Sequence, residues 1–372
     1  MKKKAIVSVI NDLFSDQRVH KMCCTLTEMG FEVLLVGRIL PNSLPLQPRD
    51  YKTKRMRLFF TKGPWFYAEF NIRLFLFLLF RKANVLVSND LDTLLPNYLI
   101  KKIKNADLVY DSHEYFTEVP ELVNRPKVKA VWESIEKRIF PKLKDIITVN
   151  ESIADLYHQK YGNKLNIVRN IPLQTKPVLN FTKEELGIPL NKRIVILQGS
   201  GINIQRGAEE LIEAMQFLEN TALLIVGSGD VMDLLRNMTI QLNLQDKVVF
   251  IPKQAYSKLL NYTALADLGC TIDKDTNINY RISLPNKLFD YIRAEIPILS
   301  TRLTEIQKII EFYNIGDFID SHEPKHIAHK IEEILSDKEK LKIYKQNLRK
   351  ASSDLCWENE CVVVKNIYKK FL

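Results

Sequence analysis

Arg193-Ile194-Val195-Ile196-Leu197-Gln198-Gly199-Ser200-Gly201 and, further along, Ala222-Leu223-Leu224-Ile225-Val226-Gly227-Ser228-Gly229 are two versions of one pattern. Each is a short run of branched apolar residues without polar alternation, as expected of a strand covered on both faces. Each ends in a Gly-x-Gly turn. Between them Ala208–Leu218 has the apolar spacing of a helix. Strand, turn, helix and second strand make a βαβ unit, which demands a parallel sheet.

The rhythm extends in both directions. Downstream, helices are expected at Val231–Leu242, Tyr256–Ala264 and Lys287–Ala294, with strands at Val248–Ile251, Asp267–Ile272 and Ile296–Leu299. Upstream, Ala5–Ile10, Phe31–Val36, Val85–Ser88, Leu108–Tyr110, Ile146–Val149 and Leu165–Val168 read as strands, with helices at Asp16–Met29, Thr93–Lys104 and Glu151–Tyr161. The alternation breaks near Asn170-Ile171-Pro172, and Leu173–Phe181 contains Pro177 but no clear period. The reading is therefore α/β, with two Rossmann-like domains over residues 1–172 and 173–352. Pro324–Leu335, Asp337–Ser352 and Trp357–Phe371 form a helical end, of which 353–372 is expected to pack back on the first domain.

The composition agrees with two cores: 372 residues, 46% hydrophobic and 26% charged. Only 12 glycines exclude collagenous and Gly-rich disordered classes. The net charge of +10 is lopsided, since residues 1–172 hold 28 Lys and Arg against 18 Asp and Glu, while residues 173–372 hold 26 of each. The first half is thus expected to face something anionic. RNP, helix-turn-helix and zinc signatures are missing, so no nucleic acid is expected. Five cysteines without CxxC spacing suit a reducing, cytoplasmic setting. The apolar run after Lys2-Lys3-Lys4 is too short for a signal peptide and reads as a buried first strand.

Trp65–Phe80 is rich in aromatic and aliphatic residues but is interrupted by Glu69, Asn71 and Arg73, so a bilayer span is not expected. It reads either as a buried helix or as one that also touches an anionic membrane, with residues 52–82 and 127–144 supplying basic and aromatic groups.

Several constellations can carry chemistry, because doubly wound folds meet their ligands at the carboxyl ends of strands. The loop through Gly199, Ser200, Gly201 and Arg206 fits a phosphate cradle or a plain tight turn. Gly227-Ser228-Gly229 fits a second cradle or a helix cap. Neither loop has P-loop or dinucleotide spacing. Pro285-Asn286-Lys287-Leu288 opens a helix whose free N–H groups, with Lys287, suit a diphosphate, and Asp290 one turn on can accept from ribose hydroxyls. An ordinary amphipathic helix explains the same residues. In the first half, Asp16 and Arg18, Asp90 and Asp92, and His113 with Glu114 follow expected strands. Asp16 reads as a helix cap, Arg18 as an anion contact, and Asp92 as a better cap than Asp90. His322, His326 and His329 share a helical spacing but lack accompanying ligands, so no metal is expected there.

Taken in order, these motifs resemble the GT-B nucleotide-sugar glycosyltransferases, specifically retaining family 4. The resemblance rests on Leu223–Gly229, Val249–Pro252, Ala266–Gly269 and Leu284–Tyr291, with Asp16-x-Arg18, Asp90-x-Asp92 and Asp111–Glu114 in the first half. It implies that Asp290 stands for the Glu that binds the donor ribose and Arg206 for the Lys on the donor phosphates. Asn286 and Lys287 would hold the diphosphate, Ile251, Pro252 and Lys253 would line the base, and His113 would contact the transferred sugar. Two family residues are replaced: Ile282 stands where a first Glu is usual, and Ser200 or Gly201 where an Arg is usual. The implied activity is transfer from a UDP- or GDP-sugar to a saccharide or lipid-linked saccharide, without metal or other cofactor, in surface polysaccharide or lipopolysaccharide assembly. The alternatives are a catalytically silent nucleotide-sugar-binding scaffold and, with a poorer match, a sugar-nucleotide epimerase.

Overall fold

The computed structural model describes the chain except residues 1, 15, 42, 44, 120, 121, 123, 124 and 176–181. It divides into two compact units, Met1–Asn170 with Glu360–Leu372, and Ile171–Asn359. The break after Asn170 coincides with the loss of sequence rhythm. The other division falls at residue 360, inside helix Trp357–Tyr368 and later than the expected 353. Much of the expected Leu173–Phe181 linker lies outside the described residues.

In the first unit the strands are β1 (Lys4–Asp12), β2 (Glu32–Arg38), β3 (Lys52–Met56), β4 (Val85–Asn89), β5 (Asp107–Ser112), β6 (Asp145–Thr148) and β7 (Asn166–Ile167). They form a parallel sheet in the order β3-β2-β1-β4-β5-β6-β7. Ala5 to Ile10 and Val85 to Asn89 are buried throughout, as continuous apolar strands inside a doubly covered sheet must be. The sequence reversal between β1 and β4 puts Asp12, Asp90, Asp111 and His113 along the carboxyl end of the sheet.

The second unit holds β8 (Arg193–Gly199), β9 (Thr221–Gly227), β10 (Val248–Pro252), β11 (Leu268–Thr271), β12 (Ile298–Thr301) and β13 (Gly316–Ile319). Its order is β10-β9-β8-β11-β12-β13, again parallel and again reversed beside the first strand. Helix Asn286–Arg293 packs on this sheet through Tyr291, whose hydroxyl donates to Cys270 O at 3.0 Å. A Cβ on Gly269 would meet that ring at 2.5 Å, so the glycine admits the helix.

Strand β3 and strand β13 do not stand out in the hydrophobic pattern; helix Thr304–Tyr313, which buries Ile306 and Ile310, adds an element beyond those expected. β3 is an edge strand whose Lys52, Thr53 and Lys54 face solvent, so its sequence shows no apolar run.

Candidate active site

In the second unit the loops after β8 and β9 lie backbone against backbone. Ser228 N–H donates to Gly199 O at 3.1 Å, and Ile202 N–H to Ser228 O at 3.0 Å. A Cβ on Gly227, at φ +148°, would stand 1.8 Å from Gly199 O, and one on Gly229 would stand 1.9 Å from Ile202 O. Both glycines are therefore needed for close approach. The second loop directs its Ser228 N–H into the first loop rather than outward. It does not cap the next helix, which starts at Met232 with Val231 at its cap. β10 runs beside β9 with Pro252 opposite Gly227, which places Ile251, Pro252 and Lys253 next to the loop pair.

Arg206 and Lys287 meet at a carboxylate that the motifs do not single out. Asp273, fully buried just beyond β11, accepts from Arg206 Nη1 at 2.8 Å on Oδ2 and from Lys287 Nζ at 3.1 Å on Oδ1. Arg206 also lies over the Tyr280 ring, 4.3 Å from its centroid. Burial alone would lower the Arg206 pKa, but Asp273 outweighs it and raises it. Two cations share one anion, so this trio carries one net positive charge beside the glycine loops. Asp273 escapes a motif reading because Ile272-Asp273-Lys274-Asp275 matches no pattern; its place after a buried strand is the available signal.

Asp290 is 4% exposed and sits deeper than expected for a residue reaching a ribose. Gln198 Nε2 donates to its Oδ2 at 2.9 Å and Tyr256 O–H to its Oδ1 at 2.8 Å. Thr263 O–H in turn fixes Gln198 Oε1 at 2.6 Å. No sequence motif points to these three partners. Pro285 caps the helix and Asn286 is exposed in its first turn, whereas Leu288 is wholly within the core. Leu288 is thus a packing residue and not a ligand contact. Ile282 is likewise core, 6% exposed, and Arg281 pairs with Asp275 at 2.9 Å on the surface.

In the first unit, Asp16 caps helix Gln17–Glu28 by accepting from Val19 N–H at 3.0 Å, as its type and position imply. Arg18 departs from expectation. It is 3% exposed and clamped to Asp111 at 2.7 and 3.2 Å, with a further bond to Val168 O at 2.7 Å. It is an internal counter-ion and not an external anion contact.

Of the two aspartates after β4, Asp92 is not the cap that its position suggests, and neither side chain caps the helix. Asp90, at φ +58°, holds the cap position of helix Leu91–Lys104, and Asp92 lies buried in its first turn. Asp90 turns its carboxylate to His113, accepting from His113 N–H at 2.8 Å and lying 3.1 Å from Nδ1. His113 Nε2 is 3.5 Å from Asp111, ion-pair distance without hydrogen-bond geometry. Burial would lower the His113 pKa, but Asp90 and Asp111 outweigh it and hold it well above the ordinary range. Burial and then Asp90 push the Asp92 carboxyl well upward. Glu114 is exposed beside this group. His322 and His326 are used locally: His322 Nε2 lies 3.0 Å from Ile272 O, and Asp320 N–H donates to His326 Nε2 at 3.2 Å. Among the described residues no group of three or more potential metal ligands occurs.

Comparison with known proteins bears on the family and the fold. Residues 180–351 match the model of the glycosyl transferases group 1, and residues 16–172 match that of glycosyltransferase family 4. An uncharacterized glycosyltransferase of Methanocaldococcus jannaschii is 24% identical over 239 residues, which cover 60% of this chain and 59% of that protein. The match thus spans less than two thirds of that relative's length. Sucrose-phosphate synthase from Thermosynechococcus elongatus superposes with a TM-score of 0.82 at 16% identity, covering 99% of each chain. Anabaena HepE in complex with UDP and glucose gives a TM-score of 0.72 at 13% identity, again covering 99% of each. Two parallel-sheet Rossmann-like units and two family models that together run from 16 to 172 and from 180 to 351 lead to one conclusion: the chain belongs to the GT-B glycosyltransferases of the family 4, group 1 type.

Proposed function

We propose that the protein transfers a glycosyl group from a UDP- or GDP-linked sugar to a saccharide or lipid-linked saccharide, with retention at the anomeric carbon. The observation that carries this reading is the convergence of Arg206 and Lys287 on Asp273, which leaves one positive charge beside the glycine loops. Breaking the anomeric bond builds negative charge on the leaving diphosphate, and fixed cations and a helix start stabilise that charge. The UDP and glucose in the HepE complex support a nucleoside-diphosphate sugar as donor. Asp290, held by Gln198 and Tyr256, would receive the ribose. His113, held as imidazolium by Asp90 and Asp111, would orient a sugar hydroxyl. Metal independence belongs to the proposal; a retained rate in excess EDTA would support it.

The acceptor side is supported by helix Gly63–Leu79. It buries Phe66, Phe70, Leu74 and Leu78 and leaves Trp65, Ile72 and Leu76 exposed on its other side. Phe59 and Phe80 are 86% and 80% exposed beside Arg57, Lys62, Arg81 and Lys82. Such a surface suits peripheral contact with an anionic bilayer and a lipid-linked acceptor in surface-glycan assembly. Among the described residues no helix is long and apolar enough to cross a membrane.

The test is a thermal-shift panel of UDP, GDP, ADP and CMP with their sugars, on wild type, Arg206→Ala and Asp290→Ala. Stabilisation by one nucleotide, lost in both variants, is the expected result; no response to any nucleotide would sink the donor site. A second reading, a silent nucleotide-sugar-binding scaffold, is favoured by Ile282 in the core where the family carries a Glu. Nucleotide binding without transfer or donor hydrolysis would select it.

A further inference from the structure

Asn105 (φ +53°, ψ 35°) and Asn314 (φ +49°, ψ 65°) close helices Leu91–Lys104 and Thr304–Tyr313 in the left-handed region, which asparagine tolerates. Asp90 also has a positive φ but is different in kind, because its φ of +58° is combined with a ψ of 170°. That region belongs essentially to glycine. A residue with a Cβ persists there only where its surroundings over-determine it, and such residues gather at functional sites.

The turn around Asp90 is held from both sides. Its own N–H donates to Asp111 O at 2.9 Å, continuing the pairing of β4 with β5. Before it, buried Asn89 donates from Nδ2 to Ser8 O on β1 at 2.9 Å. After it, buried Thr93 donates to Asn89 O at 2.8 Å and lies 2.8 Å from Ser88 Oγ. Asn71 Nδ2, on helix Gly63–Leu79, holds Asp92 O at 2.9 Å. Glycine would take this conformation without strain, so what the site gains from an aspartate lies in its side chain. That carboxylate meets two nitrogens of one residue: Oδ1 accepts from His113 N–H at 2.8 Å, and Oδ2 stands 3.1 Å from Nδ1. Backbone and ring of His113 are thereby fixed together. Nε2 is the ring nitrogen left without a hydrogen bond.

We propose that Asp90 is a positioning residue, kept in a glycine conformation because its carboxylate sets the His113 ring with Nδ1 engaged and leaves Nε2 to donate to a ligand oxygen. That this oxygen is a sugar hydroxyl rests on the transferase reading; the positioning does not. Backbone strain and ring orientation are then separable by substitution.

Two measurements on the full chain, both without nucleotide, test this. Asp90→Ala and Asp90→Gly each lose the carboxylate and differ in strain. Glycine ordinarily lowers stability relative to alanine through the unfolded state. Here Asp90→Gly should instead melt about 3 °C above Asp90→Ala. In protein carrying nitrogen-15 histidine, the His113 Nδ1–H resonance is identified by its loss in His113→Gln. It should exchange with water about tenfold faster in both Asp90 variants, the loss of roughly one charge-assisted hydrogen bond. An Asp90→Ala that melts at or above Asp90→Gly would overturn the strained turn. An Nδ1–H resonance unchanged in Asp90→Gly, with its circular dichroism spectrum intact, would overturn the positioning role. So would protection that merely follows stability, retained in Asp90→Gly and lost in Asp90→Ala. A missing UDP response in the wild type would remove the transferase reading and leave both of these measurements in force, so the two failures are distinct.

Discussion

Arg206 donates to Asp273 at 2.8 Å across 67 positions of chain, and this carboxylate also binds Lys287. Asp273 is fully buried and the Lys287 side chain only 10% exposed, so Asp273→Ala strands two cations. A loss of about 3 kcal/mol is expected in urea unfolding, the range for removing one partner of a buried pair. Unchanged stability would mean that solvent already screens the trio.

Gly227→Ala tests the loop contact. Its Cβ would meet backbone, not a movable side chain, at 1.8 Å and at a positive φ. We expect at least about 1–3 kcal/mol of lost stability from backbone strain. The nucleotide-induced thermal shift should shrink with it. A variant with wild-type stability and response would show that the two loops can separate freely.

The Asp290 assignment makes a chemical prediction about the ribose. UDP should bind about tenfold more tightly than its 2′-deoxy analogue, and Asp290→Ala should erase that difference. Tyr256→Phe should cost about 1 kcal/mol of stability for the lost bond to Oδ1. Equal calorimetric affinities for both nucleotides in the wild type would remove Asp290 from ribose recognition at the 2′ position.

Stability near His113 should fall with rising pH for two reasons, a favourable contribution lost and a penalty gained. The raised His113 pKa adds stability that is complete below its unfolded value, about 6.5, and fades as pH rises through the higher folded value. The raised Asp92 pKa acts as a penalty that grows above the unfolded value, about 3.9, and levels off above the folded one. Asp92→Asn should therefore raise the melting midpoint at pH 8 and leave it nearly unchanged at pH 4. His113→Gln should lower it more at pH 6 than at pH 9. The reverse order in either variant would contradict these environments.

Vesicle co-sedimentation addresses the exposed aromatic surface. Binding to vesicles containing anionic lipid, weakened by raising salt to about 0.5 M and by Phe59→Ser with Trp65→Ser, is the expected pattern. Equal binding by the double variant would place any membrane contact elsewhere.

Much of the architecture is legible in the residue pattern. Continuous apolar runs such as Ile194–Leu197 and Leu223–Val226 read as doubly covered strands, and helices between them impose parallel order. Asp16 as a cap is equally readable, because capping joins neighbours in sequence. Where local pattern is weak, as in the charged edge strand Lys52–Met56, nothing announces the element.

The α/β rhythm, the break near Asn170 and the glycines that let two loops meet are all written locally in the chain. The use of its charges is not. Folding turns Arg18 inward onto Asp111, turns the Asp90 carboxylate to His113, buries Asp92, brings Asp273 between two cations and lays Arg38 over the Phe66 ring. The reason is physical: secondary structure follows from periods of a few residues, whereas an ion pair such as Arg18–Asp111 joins groups 93 positions apart and has no local signature.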